Sequence, residues 1–169
     1  MRPAGVVELA EGDPAEVAVE NALRKARAVL DPGDPAMVLG VDTLVTLNGR
    51  IYGKPADERH AAETLGALSG ATHMVLSGVA LLAGGRERTA LAATEVVFRP
   101  LDQELIDWYI ATGEWRGRAG GYAIQGAGAA LVREVRGDYE NVVGLPLATL
   151  LDLCPQLCCA GGPSPHEPR

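Results

Sequence analysis

Met37-Val38-Leu39-Gly40-Val41-Asp42-Thr43-Leu44-Val45-Thr46-Leu47 is followed by Asn48-Gly49 and then by Arg50-Ile51-Tyr52-Gly53-Lys54-Pro55. The first run is nearly all apolar or β-branched, as a strand buried on both faces is. Asn-Gly is the dipeptide that a two-residue hairpin turn favours, so the chain is expected to return through Ile51 and Tyr52. One charged residue interrupts the run. Asp42 is costly to bury unless it is paired, hydrogen-bonded or metal-bound. It reads either as a structural cap of the next turn through Thr43, or as a magnesium ligand or general base with Lys54 across the hairpin as its countercharge.

The lysines support an anion-handling reading. Of the fifteen Lys and Arg residues, only Lys25 and Lys54 are lysines. An ammonium is a compact point charge and a guanidinium a planar fork, so the two do not exchange freely at a phosphate or catalytic site. Glu8, Glu11 and Lys25 flank the first predicted helix, where charges ordinarily form a solvated face.

Outward from the hairpin, helices and strands intersperse. The pattern predicts a helix over 14–30, capped by Asp13 with Pro14 in its first turn. A second helix is expected over 57–69, then strands over 73–83 and 88–98 joined at Gly84-Gly85. A third helix over 102–112 ends at Gly113. The stretch 113–128 holds six glycines and reads as a loop, followed by a strand over 129–136 and a last helix from Pro146. This is an α/β arrangement.

Composition excludes several classes. The chain has 169 residues, 47% of them hydrophobic, and a net charge of −7. That length suits one domain with a real core. The acidic balance argues against a nucleic-acid duplex as partner. No apolar run approaches the ~20 residues of a membrane span and no signal segment opens the chain, so no membrane partner and a cytoplasmic location are expected. Cys154, Cys158 and Cys159 crowd the end, without the spacing of a disulfide framework or a zinc site. A disordered tail is expected over 154–169. Gly126-Ala127-Gly128 lacks the third glycine and the strand–turn–helix context of a dinucleotide loop. His73 reads as a packed or surface residue, and no Gly-x-Ser-x-Gly surrounds Ser77.

At these same positions the sequence resembles the Maf family of nucleoside triphosphate pyrophosphatases. The resemblance lies in Leu39-Gly40-Val41-Asp42-Thr43, Asn48-Gly49 and Gly53-Lys54-Pro55. It continues in Leu68-Ser69-Gly70-Ala71-Thr72-His73 and Ser77-Gly78-Val79-Ala80. It ends in Thr112-Gly113-Glu114, Ala119-Gly120-Gly121-Tyr122-Ala123-Ile124-Gln125-Gly126 and Asn141-Val142-Val143-Gly144-Leu145-Pro146. The resemblance implies a single domain over 1–153 with the Maf/ITPase-like fold, a mixed twisted sheet with flanking helices and a cleft between two lobes. It implies hydrolysis of nucleoside triphosphates to monophosphate and pyrophosphate with Mg2+ or Mn2+, cleansing the nucleotide pool, and a link to arrest of septum formation. Residue by residue, Asp42 would be the proton acceptor, Lys54 and Lys25 would hold phosphate charge, and Glu8 would bind the metal with Asp42. Thr43 and Gln125 match positions of base choice, and Ile124-Gln125-Gly126 resembles the branch that prefers dTTP and UTP. The alternative is a catalytically impaired nucleotide-binding relative acting in division control, and a homodimer is the one protein partner considered. The family's opening strand and Ser-x-Ser-Pro-Arg-Arg loop, whose hydroxyl and guanidinium groups grip the triphosphate, have no counterpart here. Met1-Arg2-Pro3-Ala4-Gly5-Val6 aligns well inside the family's usual start, so Met1 is expected to be an internal position of a longer frame.

Overall fold

A computed structural model describes residues 5–31 and 36–158 of the chain. Its centre is a five-stranded sheet ordered β2-β1-β3-β4-β5. The strands are β1 Val38–Leu47, β2 Arg50–Tyr52, β3 Thr72–Ala83, β4 Arg86–Phe98 and β5 Val132–Arg136. Every pairing is antiparallel, whereas a mixed sheet was expected of the resemblance. The hairpin forms as read: Asn48 and Gly49 have φ of +53° and +78°, the pair of positive angles a tight type I′ turn requires. Val45 then faces Tyr52 across β1 and β2.

Helix α1, Pro14–Val29, begins where Asp13 accepts hydrogen bonds from the amides of Ala15 and Glu16 at 3.0 and 3.1 Å. It buries Val17, Ala18, Asn21, Ala22 and Ala26, the one-face spacing of a packed helix. That face lies on β1 and β3 unusually closely. A β-carbon on Gly40 would stand 2.2 Å from the Ala22 carbonyl oxygen, and one on Gly78 would stand 2.1 Å from that of Ala18. Both contacts are sterically impossible, so only glycine at these two positions allows the helix its depth. Gly78 is the direct partner of Asp42 across β1 and β3. Asp42 therefore projects from the same sheet face that α1 covers.

The opposite face carries the larger core. Helix α2, Glu58–Leu68, and helix α3, Gln103–Thr112, supply Leu65, Leu68, Ile106 and Tyr109 against Val45, Val75, Val96 and Phe98 of the sheet. With both faces covered, β3 reads as an almost unbroken apolar run, as such strands do. His73 is buried at its start, its Nε2 2.9 Å from the Tyr122 hydroxyl and its ring edge-on to Phe98.

The glycine-rich loop is more structured than its composition suggests. Short 3₁₀ turns occupy Ala119–Gly121 and Ala127–Leu131, so β5 begins at Val132 rather than near residue 129. A helix absent from the sequence reading, α4 Tyr139–Val143, precedes α5, Leu147–Leu153. The Asp138 side chain caps α4 by accepting from the Glu140 amide at 2.9 Å. Five residues are too few to show a helical period. Where a disordered tail was expected, Cys154 is buried and Pro155–Cys158 forms a further 3₁₀ turn. The remainder of that expectation, residues 159–169 with Cys159, lies outside the described residues, as do Met1 to Ala4.

Candidate active site

A cavity of about 590 Å3 lies between Lys25 of α1, strands β1 and β3, and the loops 113–126 and 142–144. Asp42 meets it from the α1 face of the sheet, and Thr43, Val45 and Val75 meet it from the opposite face. Its size is usual for a small-molecule site. Lys25, Asp42, Thr43, Lys54 and Gln125 all line it. Five of the six residues singled out in the sequence thus meet at one place. The sixth, Glu8, reaches both lysines from the segment before α1.

The charges form an alternating row. Lys54 Nζ donates to both oxygens of Glu8 at 2.9 and 3.0 Å. Glu8 Oε1 also lies 2.7 Å from Lys25 Nζ, and Lys25 in turn donates to Asp42 Oδ1. The countercharge of Asp42 is therefore Lys25 on α1, not Lys54 across the hairpin as the sequence suggested. The reason is the face: Asp42 points toward α1, and Lys54 lies beyond the end of β2. Partial burial would raise the Glu8 carboxyl, but hydrogen bonds from Lys25 and then Lys54 outweigh it, and the net effect is a carboxyl below its ordinary range. Burial likewise pulls Lys25 downward, and its bonds to Asp42 and Glu8 prevail and raise it. Both shifts favour the charged forms of Glu8 and Lys25.

Asn21 completes this corner and was not recognised in the sequence. It is buried on α1, and its Nδ2 donates to Asp42 Oδ2 at 3.0 Å and to the Leu9 carbonyl at 3.0 Å. Its Oδ1 accepts from the Leu9 amide at 2.8 Å. One amide thereby ties the backbone beside Glu8 to the buried carboxylate. An Asn within a helical stretch resembles any polar face residue, and its spacing four residues before Lys25 was the only available signal. Glu11, by contrast, is exposed and takes no part.

Thr43 and Ser77 face each other across β1 and β3 with their hydroxyls 2.7 Å apart. Gln125 sits exposed on a turn held from beneath. The Ala123 amide donates to the Tyr109 hydroxyl at 2.9 Å, and the Ala127 amide donates to Glu114 Oε2 at 2.7 Å. The Glu114 carboxylate fills the space under Gly126, where a β-carbon would lie 2.2 Å from it. Behind the cavity, buried Asn141 donates to the Val75 carbonyl and to Thr94 Oγ1, both at 3.0 Å, and anchors α4 to the sheet. No group of three or more His, Cys, Asp or Glu suited to a metal ion occurs among the described residues. Nor is any described helix long and apolar enough to cross a membrane.

A cavity gathering two lysines, two further arginines (Arg116 and Arg118) and a buried carboxylate is suited to a polyanion. The chain belongs to the Maf family: the family model described as Maf-like protein matches residues 1–157. It is 50% identical over 143 residues to a dTTP/UTP pyrophosphatase of Symbiobacterium thermophilum, covering 85% of this chain and 74% of that protein. It is 46% identical over 157 residues to the dTTP/UTP pyrophosphatase of Pyrococcus furiosus, covering 90% and 82%. Against that of Bacillus cytotoxicus the identity is 48% over 142 residues, covering 84% and 74%.

Proposed function

We propose that this protein hydrolyses dTTP and UTP to the nucleoside monophosphate and pyrophosphate, clearing such nucleotides from the pool. The observation that carries the reading is the junction of Lys25 and Asp42 in the cavity wall with Glu8 behind Lys25, in a chain about half identical to proteins named for that activity. Asp42 is the general base. Two of its acceptor positions are taken by Lys25 and Asn21, but a carboxylate offers about four. Those left can accept a proton from water as it attacks the α-phosphorus, while the bond to the bridging oxygen of the departing pyrophosphate breaks. Lys25 and Asn21 orient Asp42, and Lys54 holds phosphate charge. Thr43 and Gln125 select the base, since an amide donates to and accepts from a pyrimidine edge.

The donor set fits a divalent cation. Glu8 Oε1 and Asp42 Oδ1 come from different segments and both reach the Lys25 ammonium, so two hard oxygens converge on one cationic position. One or two carboxylates together with substrate phosphates are what Mg2+ takes. Glu8 and Asp42 would hold Mg2+ or Mn2+, which when bound neutralises phosphate charge.

The test is pyrophosphate release from dTTP and UTP with Mg2+, before and after chelation with EDTA. Chelation should stop release, and Asp42→Asn should lower turnover by about 10²- to 10⁴-fold, the usual range for a general base, while nucleotide binding persists. Wild-type turnover in the Asn variant would remove Asp42 from the mechanism.

A further inference from the structure

The cations around the cavity are not equally available. Lys25 is bound by Glu8 and Asp42, and Lys54 by Glu8. Arg116 lies 3.3 Å from Glu58 and stacks over the Trp115 ring at 4.6 Å. Arg118 lines the same cavity, is exposed, and makes no ion pair among the described residues. The nearby carboxylate of Glu114 is occupied by the Ala127 amide.

The backbone around Arg118 is firmly placed. Its amide donates to the Trp115 carbonyl at 3.2 Å, and its own carbonyl accepts from the Gly121 amide at 3.0 Å. Two residues on, the Gly120 amide donates to the Gly53 carbonyl at 3.1 Å, so the Arg118 loop is sewn to the loop that carries Lys54. Side-chain exposure then rises along the cavity, from 7% at Asp42 and 22% at Lys25 to 49% at Lys54, with Arg118 at the exposed end. A triphosphate with its α-phosphorus at Asp42 and its base at Gln125 would set its β- and γ-phosphates among the cavity cations farther out, Lys54 and Arg118.

We propose that Arg118, beside Lys54, binds the β- and γ-phosphates that depart as pyrophosphate. The inference rests on the reading of the cavity as a triphosphate site. A guanidinium donates two parallel hydrogen bonds to a phosphate, and charge on the departing group is what phosphoryl-transfer sites neutralise. No sequence motif marked this residue, because an arginine in a glycine-rich loop resembles any surface charge.

The experiment combines steady-state kinetics on dTTP with calorimetric titration of pyrophosphate and, separately, of dTMP, all with Mg2+. Arg118→Ala should raise KM and weaken pyrophosphate binding by about tenfold each, the effect of one charge-assisted contact. Binding of dTMP should stay within about twofold, and Arg118→Lys should fall between. Equal loss for dTMP and pyrophosphate would make Arg118 structural, and no loss for either would dismiss it; both overturn the proposal. If the wild type releases no pyrophosphate yet Arg118→Ala selectively loses pyrophosphate binding, the anion site stands and the hydrolytic reading fails. If the wild type turns over and the variant matches it throughout, the hydrolytic reading stands and Arg118 has no part.

Discussion

Asn21 Nδ2 lies 3.0 Å from Asp42 Oδ2, and both residues are buried. The same nitrogen reaches the Leu9 carbonyl, so a single helical side chain sets the position of the carboxylate and of the segment that presents Glu8. Replacing it by Leu keeps the volume but leaves the Leu9 amide and carbonyl and one Asp42 oxygen without their partner. Turnover of dTTP should fall about 10- to 100-fold, as for other residues that orient a ligating carboxylate. Stability should fall by roughly 1–3 kcal/mol for groups left unpaired. Unchanged kinetics in a folded Asn21→Leu protein would show that Asp42 needs no such support.

Base choice is tested at Gln125. Replacement by Glu removes the amide donor and adds a negative charge on a turn that Glu114 and Tyr109 hold in place. The dTTP and UTP rates should fall at least about tenfold relative to those for purine triphosphates, because a site built to pair with a polar edge rejects a mismatched one strongly. A uniform fall across all triphosphates would assign Gln125 to the fold.

His73 makes the stability depend on pH. Burial lowers it from 6.5 to about 4. Between those values the unfolded chain binds a proton that the folded chain does not. The contribution of neutral His73 is therefore complete above pH 6.5 and is lost as pH falls toward 4, by about 3 kcal/mol in all. Thermal melts of His73→Gln, which does not titrate, should show a shallower decline over that window, by roughly 5–10 °C. Parallel curves would place the titration elsewhere.

At Gly78 an added methyl group meets the Ala18 carbonyl. Gly78→Ala should destabilise the fold by about 1–3 kcal/mol or more, the cost of overpacking a tight interface. It should also lower turnover, since the helix that must retreat carries Asn21 and Lys25. A drop in melting temperature with unaltered kcat would separate the helix position from the chemistry.

The hairpin over 38–55 was legible because its information is local: a strand-length apolar run, a turn dipeptide, a return. The flanking helices were equally plain from their caps and periods. The partner of Asp42 was not, because strand register determines which face a side chain leaves by, while the element covering that face is a long-range matter. Gly40 and Gly78 carried that information, but a glycine in a strand does not announce what approaches it. Asn21 and Arg118 stayed hidden for a related reason, since each looks like an ordinary polar residue until its neighbours are known. The short helix α4 was missed because its support, Asn141 bonded to Val75 and Thr94, comes from residues far away in sequence.

The row Lys54–Glu8–Lys25–Asp42 adds up to zero net charge. In the resting molecule Glu8 already occupies both lysines, so a phosphate that engages them must displace a carboxylate rather than water. A small inorganic anion exchanges one ion pair for another of similar strength and gains little. A ligand of higher charge, engaging several cations at once, gains enough to evict Glu8. On the proposed reading of the site, the internal carboxylate would set a threshold that disfavours simple ions relative to multiply charged chains.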